Sequence, residues 1–516
     1  MKTYRSGRWG ALAIACFLAV SVSCSQDPPT TSVLGTTGGA TSPGTGGASG
    51  ATTNTGGTIV ATTGGNISIG GGNVGGMAGA CKNLQCAQTS CKVGACTQKE
   101  CASGQTTVTG MVYDPAGKVP LYNVIVYVPN GPVLPFTAGA TCDRCGQTVM
   151  NPVVSALTDT AGKFVLTDVP VGTNIPLVLQ IGKWRRQITI PNVGACADTQ
   201  MVDPQLMRLP RNKAEGDIPL IAITTGGADS MECLPRRMGI DDAEFTPGAG
   251  DGRIHLYSGT DHVTGQAMDI ATKTFDPALN GGAAMLPATG LWGTKEALSK
   301  YDIVILSCEG GTMEMDKPMT ARQALYDYSS LGGRVFASHW HRVWFSAGPQ
   351  PVPTIGTWSD RMEPADPSMG TINTSFPKGA ALSEWLVNVG ASLTPGQLEI
   401  REPRDNIQAV DPTLATSWIT VQNASAARNP ETVQYLSFNT PITAPDDMKC
   451  GRAVFTDLHV STSGATVTDT RGVPFPSGCQ QRELSPQEKA VEFMLFDLSS
   501  CVMNDDTPPK PPEPPR

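Results

Sequence analysis

The sequence predicts a two-part globular protein, α/β plus all-β: a small β-sandwich followed by an open, doubly wound sheet, carried behind a disordered N-terminal tether. Three observations predict it. Residues 102–210 hold short runs of alternating apolar and polar side chains separated by Gly, Pro and Asp turns. Residues 217–503 hold continuous apolar runs, such as IPLIAITTGG and YDIVILSCEGG, alternating with helical patterns. Residues 24–80 repeat Thr, Gly and Ser with almost no aromatic or charged residue, too little apolar surface to offset the entropy of ordering.

At the N-terminus, Lys2, Arg5 and Arg8 precede the apolar run ALAIACFLAV, and Ser21, Val22, Ser23 and Cys24 follow. This is the layout of a signal peptide over residues 1–23. The run falls short of the roughly 20 residues of a membrane-spanning helix, and no later segment reaches that length, so the mature chain is not expected to span a membrane. The small residues before Cys24 resemble the bacterial lipoprotein cleavage box, which implies acylation of Cys24 and a lipid bilayer as partner. Ser25, where an aspartate would resemble an inner-membrane retention signal, directs the expectation to the outer membrane.

The formal charge of −8, with 16% charged residues, offers no basic surface for nucleic acid. Fifteen cysteines behind an export signal imply an oxidising compartment and structural disulfides. Setting aside Cys16 in the signal and Cys24 at the lipid site leaves an odd number, so at least one thiol is free or pairs between chains. In residues 81–101, Cys81, Cys86, Cys91, Cys96 and Cys101 recur every fifth position, which reads as a small disulfide knot; with no histidine nearby, zinc is the lesser reading.

In residues 102–210, the runs TTVTGMVY, NVIVYV, GKFVLTDV, IPLVLQI and RRQITI are the strands of the sandwich. VTGMVYDPAGKVPLYNVIVYV followed by ALTDTAGKFVLTDVPVG resembles the carboxypeptidase regulatory-like, transthyretin-type domain, which implies that fold and an accessory or binding role. Cys142 and Cys145 form a C-x-x-C read as a structural loop staple ahead of a redox pair or a metal half-site. Trp184 beside Arg185 and Arg186 is a candidate sugar- or anion-binding group, weighed against a packed Trp with solvated arginines on a strand edge.

In residues 217–503, IPLIAITTGG leads to the helix-like DSMECLPRRMG, YDIVILSCEGG to the helix TARQALYDYSSLGG, and RVFASHWH and GRAVFTDLHVS are later strands. Ser485, Pro486 and Glu488 form a capping box, and Ala490, Val491, Met494, Leu495 and Leu498 the apolar stripe of a closing helix. Long irregular loops expected between Ser346 and Ala444 argue against a closed (β/α)8 barrel. Residues 504–516 read as a disordered Pro-rich tail. YDIVILSCEGG, ALYDYSSLGGRVFASHWH and CGRAVFTDLHVS together resemble the class I glutamine amidotransferase-like fold, including its trehalose-utilisation branch. Glutaminases of that superfamily carry a cysteine in the sharp turn and a histidine followed closely by glutamate. Here Ser338 and His339 occupy the turn, and His459 is followed by Val460 and Ser461, so the resemblance implies the fold without glutamine hydrolysis.

Three of the five histidines, His339, His341 and His459, fall at expected strand C-termini, where open α/β sheets bind ligands. His339 and His341 share a face if the strand continues through them, and Asp457 and His459 repeat the spacing. These histidines are candidate ligands for a divalent metal such as Zn, and Asp457 with His459 a candidate base and orienting group, against a structural role for all of them. Cys308, and Ser338 in the sharp turn, are candidate catalytic residues; a small buried hydrophobe is the commoner fate of such a cysteine. Asp229 and Glu232 read as charges at a helix N-terminus near the same crevice. Two functions follow. The first is an envelope lipoprotein displaying a non-catalytic module that binds carbohydrate or cell-wall material; the second is a metal- or His-dependent hydrolase in the α/β domain.

Overall fold

The computed structural model describes residues 98–147, 149, 152–426, 430–460 and 468–513. The signal, the tether, Cys24 and the cysteines from Cys81 to Cys96 lie outside the described residues.

The first part is a sandwich of β1 (Thr107–Met111), β2 (Ile125–Pro129), β3 (Pro152–Leu157), β4 (Lys163–Thr167), β5 (Gly172–Ile181), β6 (Trp184–Val193) and β7 (Asp198–Met201). One sheet runs β3-β2-β5-β6 and is antiparallel throughout; the other runs β4-β1-β7, with β7 parallel to β1. β4 alternates strictly, turning Phe164 and Leu166 into the core and Lys163, Val165 and Thr167 to solvent, as its period-two pattern requires. β2 is buried on both faces, because Tyr127 and Ile125 on its outer side pack with Val149 and Val178.

The second part continues with β8 (Ile221–Thr224), α1 (Cys233–Arg237), β9 (Phe245–Pro247), β10 (Ile254–Ser258), β11 (His262–Thr264), β12 (Ala267–Asp269) and β13 (Leu286–Pro287). Then come α2 (Ala288–Trp292), α3 (Lys295–Leu298), β14 (Ile303–Leu306), α4 (Met319–Ser330), β15 (Arg334–Ser338) and α5 (Val343–Ser346). The remainder is β16 (Gly356–Trp358), β17 (Ser368–Ile372), α6 (Pro377–Asn388), β18 (Gln397–Ile400), β19 (Ile407–Val410), β20 (Thr416–Gln422), β21 (Glu431–Thr440), β22 (Gly451–Thr456) and α7 (Pro486–Ser499). An 11-stranded sheet organises it in the order β13-β10-β8-β14-β15-β22-β21-β20-β17-β18, with β9 sharing the β10 edge. Pairing is parallel from β13 to β22 and antiparallel from β22 to β18.

The sheet is therefore mixed. The stretch from Ser346 to Ala444, expected as irregular loop, supplies β16 to β21 and α6. Its strands ETVQYLSFNT and TSWITVQ lack the all-apolar run of a parallel strand, so their pattern is weaker. The helix expected over DSMECLPRRMG shrinks to the five residues of α1, with Pro235 inside it. The closing helix forms as expected: the Ser485 hydroxyl accepts from the Glu488 amide at 3.2 Å, and the Ser485 amide donates to the Glu488 carboxylate at 2.8 Å.

The sandwich docks on the edge where the parallel strands begin. Lys183 donates to Asp302 at 2.6 Å and to the Gly139 carbonyl at 2.7 Å. Cys142 and Cys145 do not staple their own loop: Cys142 pairs with Cys450, just before β22, and Cys145 pairs with Cys501, just after α7. Cys101 pairs with Cys196 of the sandwich, so it does not close on the other cysteines of the expected knot. Among the described residues Cys233–Cys479 is the fourth bridge, and Cys308 is free and buried. The tail is described as far as Glu513; Asp505 pairs with Arg452 at 2.9 Å, and the Pro512 carbonyl accepts from Ser155. Among the described residues no helix is long and apolar enough to cross a membrane.

Candidate functional site

Neighbouring strands β8, β14, β15 and β22 end side by side, so the turns that follow them meet at one edge. The register shows how closely: Leu306 lies beside Ala337, and Ser338 beside Thr456. The turns after β14, β15 and β22 carry Cys308, His339 and His459.

The chain reverses sharply at His339, whose φ of 42° lies in the left-handed region that non-glycine residues seldom occupy. A backbone held this way costs about 1–3 kcal/mol and is a mark of functional turns. The reversal aims the His339 ring at Cys308, with Nδ1 3.3 Å from Sγ. It also separates the two histidines expected to share a face. His341 enters a 3-10 turn, accepts at Nδ1 from the Trp344 indole at 2.8 Å, and directs Nε2 toward Glu309 at 3.8 Å. Glu309 is in turn paired with buried Lys317 at 2.5 Å. His341 thus belongs to a structural cluster away from the other two histidines, and Cys308 stands in the place expected for it.

His459 meets His339 edge to face, ring centres 5.0 Å apart, and both of its nitrogens are buried without a hydrogen-bond partner, as is Nε2 of His339. Cys308, His339 and His459 each offer an atom within 4.8 Å of the others and form a group that could hold a metal ion. Burial pushes the Cys308 thiol up to about 12, which favours the thiol over the thiolate. Burial, then the charge of Arg404, takes His459 down to about 3, and burial holds His339 well below its usual value. Both rings are therefore neutral, the form in which imidazole binds metals.

Asp457 is fully buried and both its carboxyl oxygens lack partners. Burial, reinforced by Glu363, raises it well above the ordinary carboxylate range. Ser338 donates to Asp229 at 3.3 Å, and Asp229 also accepts from the Val460 amide, so the hydroxyl is one arm of a buried clamp. Asp229 sits in a loop before α1 and not at its N-terminus, while Glu232, raised to about 8 by burial, precedes α1 directly.

A cleft of about 520 Å³ opens above His339 and His459, walled by Trp340, Glu363, Arg404 and Arg471. The β11–β12 hairpin closes one side so tightly that a Cβ on Gly310 would lie 2.2 Å from an Asp269 carboxylate oxygen. The walls come from segments whose sequence carries no motif, and Arg404 and Glu363 stand in the stretch expected as loop. Of the expected ligand-binding pair in the sandwich, Trp184 is buried edge-on against Phe496 of α7, and Arg185 is paired with Asp217 at 2.7 Å and stacked 4.0 Å over Phe136. The Trp is interface core, and Arg185 alone lines a separate cleft of about 450 Å³.

Fold and site together define a β-sandwich joined to an α/β unit, with a Cys–His–His group at the carboxyl ends of its parallel strands. Among solved structures, the chain is similar to a ThuA-like protein from Bacteroides uniformis, at 10% identity and a TM-score of 0.23, over 46% of this chain and 81% of that one. It is similar to a cytoplasmic protein from Salmonella typhimurium at 10% identity and a TM-score of 0.25, over 55% and 98%. A cohesin–X-dockerin complex from Acetivibrio cellulolyticus matches at 18% identity and a TM-score of 0.15, over 26% and 85%. No protein-family model matches the chain, and no curated protein matches its sequence. Likenesses this distant leave the site to be read from its own geometry.

Proposed function

We propose that the protein is an exported envelope lipoprotein whose α/β unit binds one soft divalent cation of the Zn2+ class and, over it, a polar ligand of carbohydrate or cell-wall chemistry. The observation that carries this reading is the buried group at the sheet edge in which Cys308 Sγ and one nitrogen each of His339 and His459 lie within 4.8 Å of one another, with neither His459 nitrogen hydrogen-bonded. A buried polar group without a partner costs about 1–3 kcal/mol, and a cation held by Cys308 Sγ, His339 Nδ1 and one nitrogen of His459 would satisfy that His459 nitrogen. Thiolate and imidazole suit zinc, whose tetrahedral bonds of about 2.0–2.3 Å place ligand atoms about 3.5 Å apart. The Cys308–His339 separation of 3.3 Å already fits, and the 4.8 Å limit of the group asks only for small side-chain rotations. Three protein ligands leave a fourth position for water or ligand.

One observation favours a second reading, a hydrolase. Asp457, two residues before His459, has an unpartnered carboxyl, and a cation of this class acidifies a bound water.

The test uses the full chain, produced with its disulfides formed. Zinc analysis and Co2+ titration of wild type should find one equivalent, with the charge-transfer absorption of a cobalt thiolate. Cys308→Ser and His459→Ala should each lose it, while His341→Ala keeps it. Absence of cation from the wild type, or full retention in both ligand variants, sinks the cation reading.

Export is supported by the four disulfides among the described residues, which belong to an oxidising compartment. The anchor rests on Cys24, and Cys24→Ser is expected to move the protein from the membrane fraction, specifically the outer membrane, to the soluble one. Continued sedimentation with membranes counts against an acylated Cys24.

A further inference from the structure

The loop after β8 touches the turns of all three candidate ligands. The Ala228 amide donates to the Cys308 carbonyl at 3.0 Å. Asp229 accepts from the Ser338 hydroxyl at 3.3 Å through Oδ2 and from the Val460 amide at 3.0 Å through Oδ1. Ser338 immediately precedes His339, and Val460 immediately follows His459. The contact is close: a Cβ on Gly226 would lie 2.1 Å from the Cys308 carbonyl oxygen, so only glycine lets the loop approach. Asp229 itself is fully buried, and its two oxygens reach the last residue of β15 and the loop after β22. The far side of the His459 turn is also fixed, since Gln487 of α7 donates to the His459 carbonyl at 2.8 Å.

From this juxtaposition we infer that Asp229 is the positioning residue of the cation centre: it binds no cation, but sets the spacing of His339 and His459 by holding the residues beside them. This rests on the cation reading above. A carboxylate suits the task because it accepts at both oxygens, from a hydroxyl and an amide at once. It also explains the left-handed turn at His339. The anchored Ser338 hydroxyl fixes where the chain leaves β15, and the reversal is then the way to bring the ring back to Cys308. Groups that orient metal ligands typically cost about 10- to 100-fold in metal affinity when removed.

The experiment is Co2+ titration of the full, oxidised chain as wild type, Asp229→Ala, Asp229→Asn and Ser338→Ala, followed by absorption, with circular dichroism to monitor folding. Asp229→Ala should weaken cobalt about 10- to 100-fold and alter the d–d bands, because the ligand geometry loosens. Asp229→Asn keeps an acceptor for Val460 and should recover part of the loss. Ser338→Ala removes one arm only, and is expected to shift the spectrum while folding normally; it decides the matter if Asp229→Ala does not fold. Wild-type affinity and an unchanged spectrum in Ser338→Ala together with a folded Asp229 variant overturn the inference. A wild type that binds no cobalt overturns the cation reading instead, so the two failures are distinguishable.

Discussion

Asp114, in the loop after β1, and Glu492, on α7, are carboxyls buried where the sandwich meets the closing helix. Burial raises Asp114 to about 7, against two backbone amides, of Lys118 and Val119, that hydrogen-bond its carboxylate. Burial, then the Asp114 charge, raises Glu492 further, and neither of its oxygens has a partner. The folded chain thus keeps protons that the unfolded chain releases above about pH 4. Stability from this pair is fully present below that pH and is lost as pH rises through the folded value, about 7 for Asp114. Urea denaturation at pH 5 and pH 8 should show wild type losing more stability than Glu492→Gln, which has one carboxyl fewer to ionise. An equal loss in both would show that the pair does not titrate across this range. The same burial hides such residues from the sequence, where Glu492 is one acidic position in a helix. The position of His341 is hidden from the sequence for a related reason. Its spacing from His339 predicts a shared face only while the backbone stays extended, and a single positive φ removes it.

At the scale of elements, legibility follows the strength of the periodic signal. IVIL in β14 and RVFAS in β15 are buried throughout and stand out as central parallel strands. The capping box of α7 is equally plain, because local chemistry decides it. β16 to β21 leave a weak signal, since a strand such as QLEI, half exposed and four residues long, has little pattern to find. The cation group falls between these cases. Each member stood out as a polar residue ending an apolar run, but which three meet depends on strand order, and β22 pairs with β15 across more than a hundred residues of intervening chain. Cys308 reads from the sequence as a small buried hydrophobe or a candidate nucleophile, because the sequence does not tell that its strand ends beside the histidine turn. Asp229 reads as a helix-capping charge for as long as α1 is taken to begin four residues early.

At the scale of the whole molecule, the candidate cation group and the docked sandwich occupy opposite ends of the same parallel strands. β22 carries both: Cys450 stands before its first residue and His459 beyond its last. Six extended residues put about 20 Å between the bridged edge and the candidate cation. The bridges there are Cys142–Cys450 and Cys145–Cys501, spanning 308 and 356 residues of sequence. They are not independent, because once one is formed the other closes only the ~50 residues between Cys450 and Cys501, still enough for about 2–4 kcal/mol in a chain-entropy account. Lys183 with Asp302, and Trp184 with Phe496, hold the same interface without covalent help. Replacing Cys142, Cys145, Cys450 and Cys501 by Ala should therefore lower the denaturation midpoint and raise hydrogen exchange in residues 137–147 and 500–505. Cobalt affinity and its absorption spectrum should stay at wild-type values, since Asp229, Gln487 and the β14–β15–β22 register are untouched. If cobalt binding weakens in step with the midpoint, the two edges are coupled through β22, and the sandwich acts on the site as well as on its stability.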